Sequence, residues 1–163
     1  MDQISLRSCV LDDFEPLFAI HCAAWKPFGI QAGTWDESLE AQAFREHFDP
    51  SIRHVIQCNQ ADVGFLDIIE GKDFFYLQNI AVSPNFQRRG IITFILREIL
   101  NKAALKRFNV LLCVLKENKS ARSLYERLGF RLVREAKTVY IMQVGDYHSG
   151  HGNDKKEEVP APE

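Results

Sequence analysis

The stretch VSPNFQRRGII, residues 82–92, holds the residues with the clearest chemical use. A turn carrying Pro84 leads into Gln87, Arg88, Arg89 and Gly90, and then into a long run with apolar periodicity. A helix starting there would leave the amides of Arg88, Arg89, Gly90, Ile91, Ile92 and Thr93 without partners, in a zone of partial positive charge. Such a start suits a phosphate or pyrophosphate. Gly90 would let the backbone approach a ligand with no side chain in the way, and the two arginines add positive charge. A solvated turn would use the same residues, so both readings stand at this point. The run is not a P-loop, because no Gly-Lys-Ser/Thr follows, and it lacks the spaced glycines of a dinucleotide fingerprint.

The elements that would position this stretch follow from periodicity. Residues 3–9 alternate with period two and predict a strand. Asp12 and Asp13 can cap a helix to about Lys26, which Pro27 and Gly29 are expected to stop. A loop, KPFGIQAGTW, follows. Asp36 can cap a second helix to about Phe48. Strands are predicted at 52–58, 61–69 and 74–82, with short polar links that favour hairpins. The longest helix pattern covers 91–108, with Ile92, Ile95, Leu96, Ile99 and Ala103 on one stripe. VLLCVL at 110–115 is apolar on both faces and predicts an interior strand. A helix at 119–128, closed by Gly129, precedes strands near 130–135 and 138–144. The order is β-α-α-β-β-β-α-β-α-β-β. The strand at Val110 should lie parallel beside 74–82. Two such strands can diverge and open a slot for a ligand.

Composition sets the outer bounds. The chain has 163 residues, 46% of them hydrophobic, which is enough for one domain with a sizeable core. We expect that domain to span 1–145, with a polar tail at 146–163 too poor in apolar residues to order itself. A formal net charge of −2 gives no global attraction to nucleic acid or to an anionic membrane. No apolar run approaches a membrane span, and the start lacks the order of a signal peptide, so a cytoplasmic location is expected. Cys9, Cys22, Cys58 and Cys113 are scattered, with no C-x-x-C, and read as buried free thiols and not as zinc ligands.

Two motifs together resemble the GNAT (Gcn5-related) N-acetyltransferase family. Its central segment, V-x-P-x-x-(Q/R)-x-x-G-x-(G/A), is matched at Val82, Pro84, Gln87 and Gly90, with Ile92 at its last position. Its later segment, N-x-x-A-x-x-(L/F)-Y-x-x-x-G-F, is matched from Asn118, Ala121, Leu124 and Tyr125 to Gly129 and Phe130. The likeness is close over 77–130 and extends by element order over 3–144. It most resembles the bacterial branch that includes ribosomal-protein alanine acetyltransferases. The resemblance implies an α/β (α+β) fold: a mixed, mostly antiparallel sheet with helices on both faces. It also implies acetyl-CoA as donor and a primary amine of a small molecule or of a peptide or protein as acceptor.

By the same resemblance, the pyrophosphate would lie on the amides after Gln87. The pantetheine arm would pair along Ile80, Ala81 and Val82, and Asn118 and Ala121 would border the cofactor. The Ile80 amide would polarise the thioester carbonyl. Tyr125 would protonate the leaving thiolate. A phenol near pKa ~10 can serve that role, and its other reading is an aromatic beside the Leu124 and Leu128 core face.

Two positions depart from the family pattern. Ile92 stands where Gly or Ala is preferred. Its amide can still donate, and we expect its side chain to pack in the core with the cradle intact. Cys113 stands where ribosomal-type relatives carry a glutamate proposed to deprotonate the amine, and it reads as structural. The base is then open among Asp67, Glu70, a water on Gln78, or the Asn79 carbonyl. Trp25, Phe28, Ile30 and Trp35 would border the acceptor or else anchor their loop. Tyr76, Tyr140 and His54 are candidates for the same cleft, and Asp36, Glu37 and Glu40 could attract a cationic amine. A sensor that binds acyl-CoA with little turnover is the alternative function, and an adaptor without CoA binding is a third. A monomer and a homodimer fit equally.

Overall fold

The computed structural model describes residues 2–146. The expected tail, apart from Asp146, lies outside the described residues.

Seven strands form one sheet in the order β1-β2-β3-β4-β5-β7-β6. They are β1 (Ile4–Ser8), β2 (Arg53–Cys58), β3 (Ala61–Glu70), β4 (Phe74–Val82), β5 (Asn109–Leu115), β6 (Arg131–Glu135) and β7 (Val139–Val144). Only β4 and β5 run parallel, and every other neighbouring pair is antiparallel. The parallel pair needs a crossover, which is supplied by helix α3 (Ile91–Lys106). The expected element order and mixed sheet are found.

Each sheet face has its own core. Val55, Phe65 and Ala81 meet Leu17 of helix α1 (Phe14–Ala32) and Phe44 of helix α2 (Glu37–Glu46) on one face. Ile56, Leu66, Phe75, Leu77 and Val110 meet Ile91, Ile95, Leu96 and Ile99 of α3 on the other, joined by Tyr125 of helix α4 (Lys119–Arg127). Strand alternation decides which side chain goes to which face.

The first helix corrects the sequence expectation. Pro27 lies inside α1, and the helix runs on to Ala32. The missing proline N–H forfeits one helical bond, but Leu17 is fully buried and holds the helix on the sheet. The helix ends at Gly33, whose φ of 68° is left-handed, and Thr34 and Trp35 N–H both turn back to the Gly29 carbonyl, at 2.9 and 3.2 Å. Gly29 is needed for close approach, since a Cβ there would sit 2.8 Å from Trp35 Cε3. The residues expected in a loop are therefore mostly helical. The Asp36 cap is found as expected, with Oδ1 accepting from the Ser38 and Leu39 amides at 2.9 and 3.1 Å.

The α3 stripe is also shifted. Ile91, not Ile92, is its buried first member, and Ile92 is partly buried against the same core. Of the four cysteines, Cys9 and Cys58 are buried, while Cys22 and Cys113 are only partly so.

Candidate active site

The parallel ladder between β4 and β5 is short. It starts at Phe74 with Asn109 and ends at Leu77 with Leu112. β4 continues to Val82 without β5 beside it, while Cys113, Val114 and Leu115 stay paired to Ile141, Tyr140 and Val139 of β7. The expected slot is this fork. One edge of Gln78–Val82 thus faces no strand, and its backbone groups are available to a ligand.

The fork leads to the start of α3. Val82 passes through Ser83 into a 3-10 turn, Pro84–Phe86. Gln87 folds back and donates from Nε2 to the Val82 carbonyl at 2.9 Å, tying the turn to the strand. Arg88 and Gly90 both have left-handed φ, 63° and 78°. The first bond into the helix is Phe94 N–H to the Gly90 carbonyl, 2.9 Å. The Ile91, Ile92 and Thr93 amides therefore lie before the helical ladder. A Cβ built on Gly90 meets nothing within 4 Å, so backbone conformation and not crowding requires glycine there. Arg89 lies over the Phe86 ring at 4.9 Å. The Ile92 side chain, packed inward, leaves its amide at the helix start.

α4 contributes two groups. Asn118 is its N-cap, and Oδ1 accepts from the Ala121 amide at 3.1 Å. That bond fixes the side chain and leaves Nδ2 as its donor. Tyr125 is 7% exposed and packs edge-on to Phe130 at 5.7 Å between centroids. Burial pushes its phenol up to about 12, so it stays protonated at neutral pH.

Three features stand out: an unpaired strand edge on β4, a helix start on α3 with amides ahead of its ladder, and the buried Tyr125 phenol on α4. Residues 49–132, over half of the chain, match the acetyltransferase (GNAT) domain family. This chain belongs to the GNAT family.

Solved structures similar to this GNAT chain agree on the fold. The PaiA N-acetyltransferase from Thermoplasma acidophilum, in complex with coenzyme A, is 18% identical, with a TM-score of 0.73 over 88% of this chain and 99% of that one. The ribosomal-protein-S18-alanine N-acetyltransferase from Escherichia coli is 21% identical, with a TM-score of 0.67 over 94% and 100%. Arabidopsis thaliana Naa50, in complex with a bisubstrate analogue, is 15% identical, with a TM-score of 0.63 over 88% and 99%. The expected ribosomal-type branch does not stand apart from the others. No curated protein matches by sequence.

Several candidate positions are relocated by the GNAT fold. Asp67 is not a surface carboxylate: it is 1% exposed, and Arg53 Nε and Nη2 donate to its two oxygens, each at 2.6 Å. Glu70 pairs with Lys106 and stands opposite Phe75, away from the fork. His54 lies on the α3 face of the sheet, lining a cavity of about 680 Å³ with Leu66, Phe75 and Ile95. Tyr140 shares a face with its partner Val114 and lies 4.4 Å from the Arg122 guanidinium. Neither faces Tyr76, whose hydroxyl reaches Cys113 Sγ at 3.6 Å on the α1–α2 side. Burial first, then the Cys113 contact, raises the Tyr76 phenol well above its ordinary value. Asp36 is engaged as a helix cap, Glu37 with Lys26 at 3.5 Å, and Glu40 with His21 at 2.9 Å. Trp25 and Phe28 lie tilted against each other on the extended α1, with ring centroids 6.2 Å apart, while Ile30 is exposed.

The contacts Arg53–Asp67–Asn79 and Tyr76–Cys113 carry no sequence signal. Their members are 12 to 37 residues apart and meet only through strand register. Among the described residues, no group of three or more His, Cys, Asp or Glu could hold a metal, and no helix is long and apolar enough to cross a membrane.

Proposed function

We propose that this GNAT protein moves an acetyl group directly from acetyl-CoA to a primary amine of a small molecule or of a peptide or protein. The observation that carries the proposal is the β4–β5 fork opening onto the α3 start, where Gly90 takes a left-handed φ of 78°. Acetyl-CoA would supply an activated thioester.

The residues take these roles. Amides of Arg88, Arg89, Gly90, Ile91, Ile92 and Thr93 hold the pyrophosphate, helped by the two arginine charges. Ile80, Ala81 and Val82 offer backbone partners to the pantetheine arm. Asn118 and Ala121 border it from α4. The Ile80 N–H donates to the carbonyl oxygen as negative charge grows there. Tyr125 gives its proton to the departing sulfur. An ordinary thiol titrates near ~8.5, below this phenol, but a sulfur leaving in a dry site is raised as well, which narrows the gap. The acceptor must lose one proton before attack, and the tied-up Asp67 cannot take it readily. Bulk water, or a water on Gln78 or the Asn79 carbonyl, is the remaining route.

That same observation favours one second reading, an acyl-CoA sensor with little turnover. Calorimetry with acetyl-CoA, followed by a panel of amines scored for CoA release, separates the two. Binding with turnover supports the transferase, binding without turnover supports the sensor, and no binding by the folded protein removes both.

A further inference from the structure

The β3–β4 ladder changes register beside the fork. Asp67 pairs with Asn79 but Ile68 pairs with Leu77, so Gln78 is an extra residue on β4. Burial records the same change of phase. Phe75 and Leu77 point into the α3–α4 core, then Ile80 and Val82 do, while Ala81 points into the α1–α2 core. Uninterrupted alternation would send Asn79 into the apolar α3 side and turn Ile80 and Val82 away from it. The bulge prevents this.

A chain of side-chain hydrogen bonds meets the bulge at Asn79. Asn79 Nδ2 donates to Asp67 Oδ2 at 2.9 Å. Asp67 is gripped by Arg53 through two bonds of 2.6 Å. The Arg53 guanidinium carbon lies 4.6, 5.0 and 4.6 Å from the rings of Phe44, Phe48 and Phe65. Arg53 and Asp67 are 2% and 1% exposed. Aromatic walls and a bidentate pair leave the carboxylate one orientation, so the Asn79 amide has one place to go. Beyond Leu77, no β5 partner keeps β4 in line.

We infer that Asn79, held by the Arg53–Asp67 pair, is a positioning residue: it sets the bulge at Gln78 and thereby aims the Ile80 backbone into the fork. This rests on the reading above, in which the Ile80 N–H serves the thioester carbonyl. Asn79 itself touches neither donor nor acceptor in this role.

The test is Asn79→Ala, which removes the clamp and leaves the Arg53–Asp67 pair intact. We expect kcat to fall about 10- to 100-fold, because a displaced oxyanion donor loses most of its effect. KM for the amine should stay within about threefold, and KM for acetyl-CoA should rise far less than kcat falls, since the amides at the start of α3 are untouched. Backbone amide exchange at Ala81, paired with Phe65 of β3 just beyond the bulge, should accelerate. Asn79→Ser, too short to reach Asp67, should behave alike, and it replaces the alanine variant if that one does not fold. A lowered melting temperature with unchanged kcat and unchanged exchange at Ala81 would overturn the inference. Wild-type protein that neither binds nor turns over acetyl-CoA would refute the transferase reading instead. Exchange at Ala81 in the variant would still decide whether Asn79 sets the bulge.

Discussion

Leu77 and Leu112 are the last partners in the parallel ladder of β4 and β5. Up to them the two strands share a core; beyond them β5 follows β7 and β4 runs alone to the turn at Pro84. The fork is thus one strand leaving another, with the free edge aimed at the start of α3.

Gly90→Val should weaken acetyl-CoA binding by about tenfold or more, because a branched side chain resists left-handed φ and projects over the helix start. Strain alone should cost about 1–2 kcal/mol of stability. Gly33→Val serves as the comparison, with a φ of 68° and nothing within 4 Å of its Cβ. It should lose similar stability with acetyl-CoA affinity unchanged in calorimetry. Equal affinities in the two variants would remove Gly90 from the cradle.

Tyr125→Phe should reduce kcat by roughly 100-fold with acetyl-CoA affinity nearly unchanged, as expected for a proton donor used only in the transition state. The variant keeps the ring that packs on Phe130. Steady-state rates beside a binding titration provide the check, and an unchanged kcat would exclude Tyr125 as the acid.

Alkaline stability should report the same phenol. Tyr125 titrates near 10 when unfolded and about 12 when folded. The folded state therefore holds the proton longer, and this group's contribution to stability is constant below pH 10 and is lost between about 10 and 12. The loss is on the order of 2 kcal/mol for one such group. Denaturant melts of wild type and Tyr125→Phe across this range should show a shallower decline in the variant. Parallel declines would contradict the buried placement.

The N-terminal segment should be acid-sensitive. Arg7 donates to both oxygens of Asp13 at 2.8 Å, and the Val10 amide adds a bond of 2.9 Å. The Arg7 contact chiefly holds this carboxyl down to about 2. Its contribution is present above the unfolded value near 4 and is lost as pH falls from about 4 to 2. Asp13→Asn should cost roughly 2 kcal/mol at pH 7 and flatten the melting-temperature profile in that window. An unaltered profile would place the acid sensitivity elsewhere.

What the sequence determined by itself is local. Asp36 announces its helix, because a cap bonds amides two or three residues away. Gly90 and Gly129 mark left-handed positions at the ends of helices. Period-two and helical patterns name nearly every element, and the two spaced motifs point to the family. Pro27 shows the limit of such signals, since a helix packed on a sheet can carry a local breaker that sequence reads as a stop. What only the tertiary structure decided is which distant groups meet. Asp67 reads as a candidate base until β2 brings Arg53 beside it. His54 and Tyr76 look like neighbours until the sheet puts them on opposite faces. One extra residue, Gln78, exchanges the faces of β4 and carries Asn79 to Asp67. Strand register and face are fixed by the summed burial of whole sheets, and no short window of residues contains that sum.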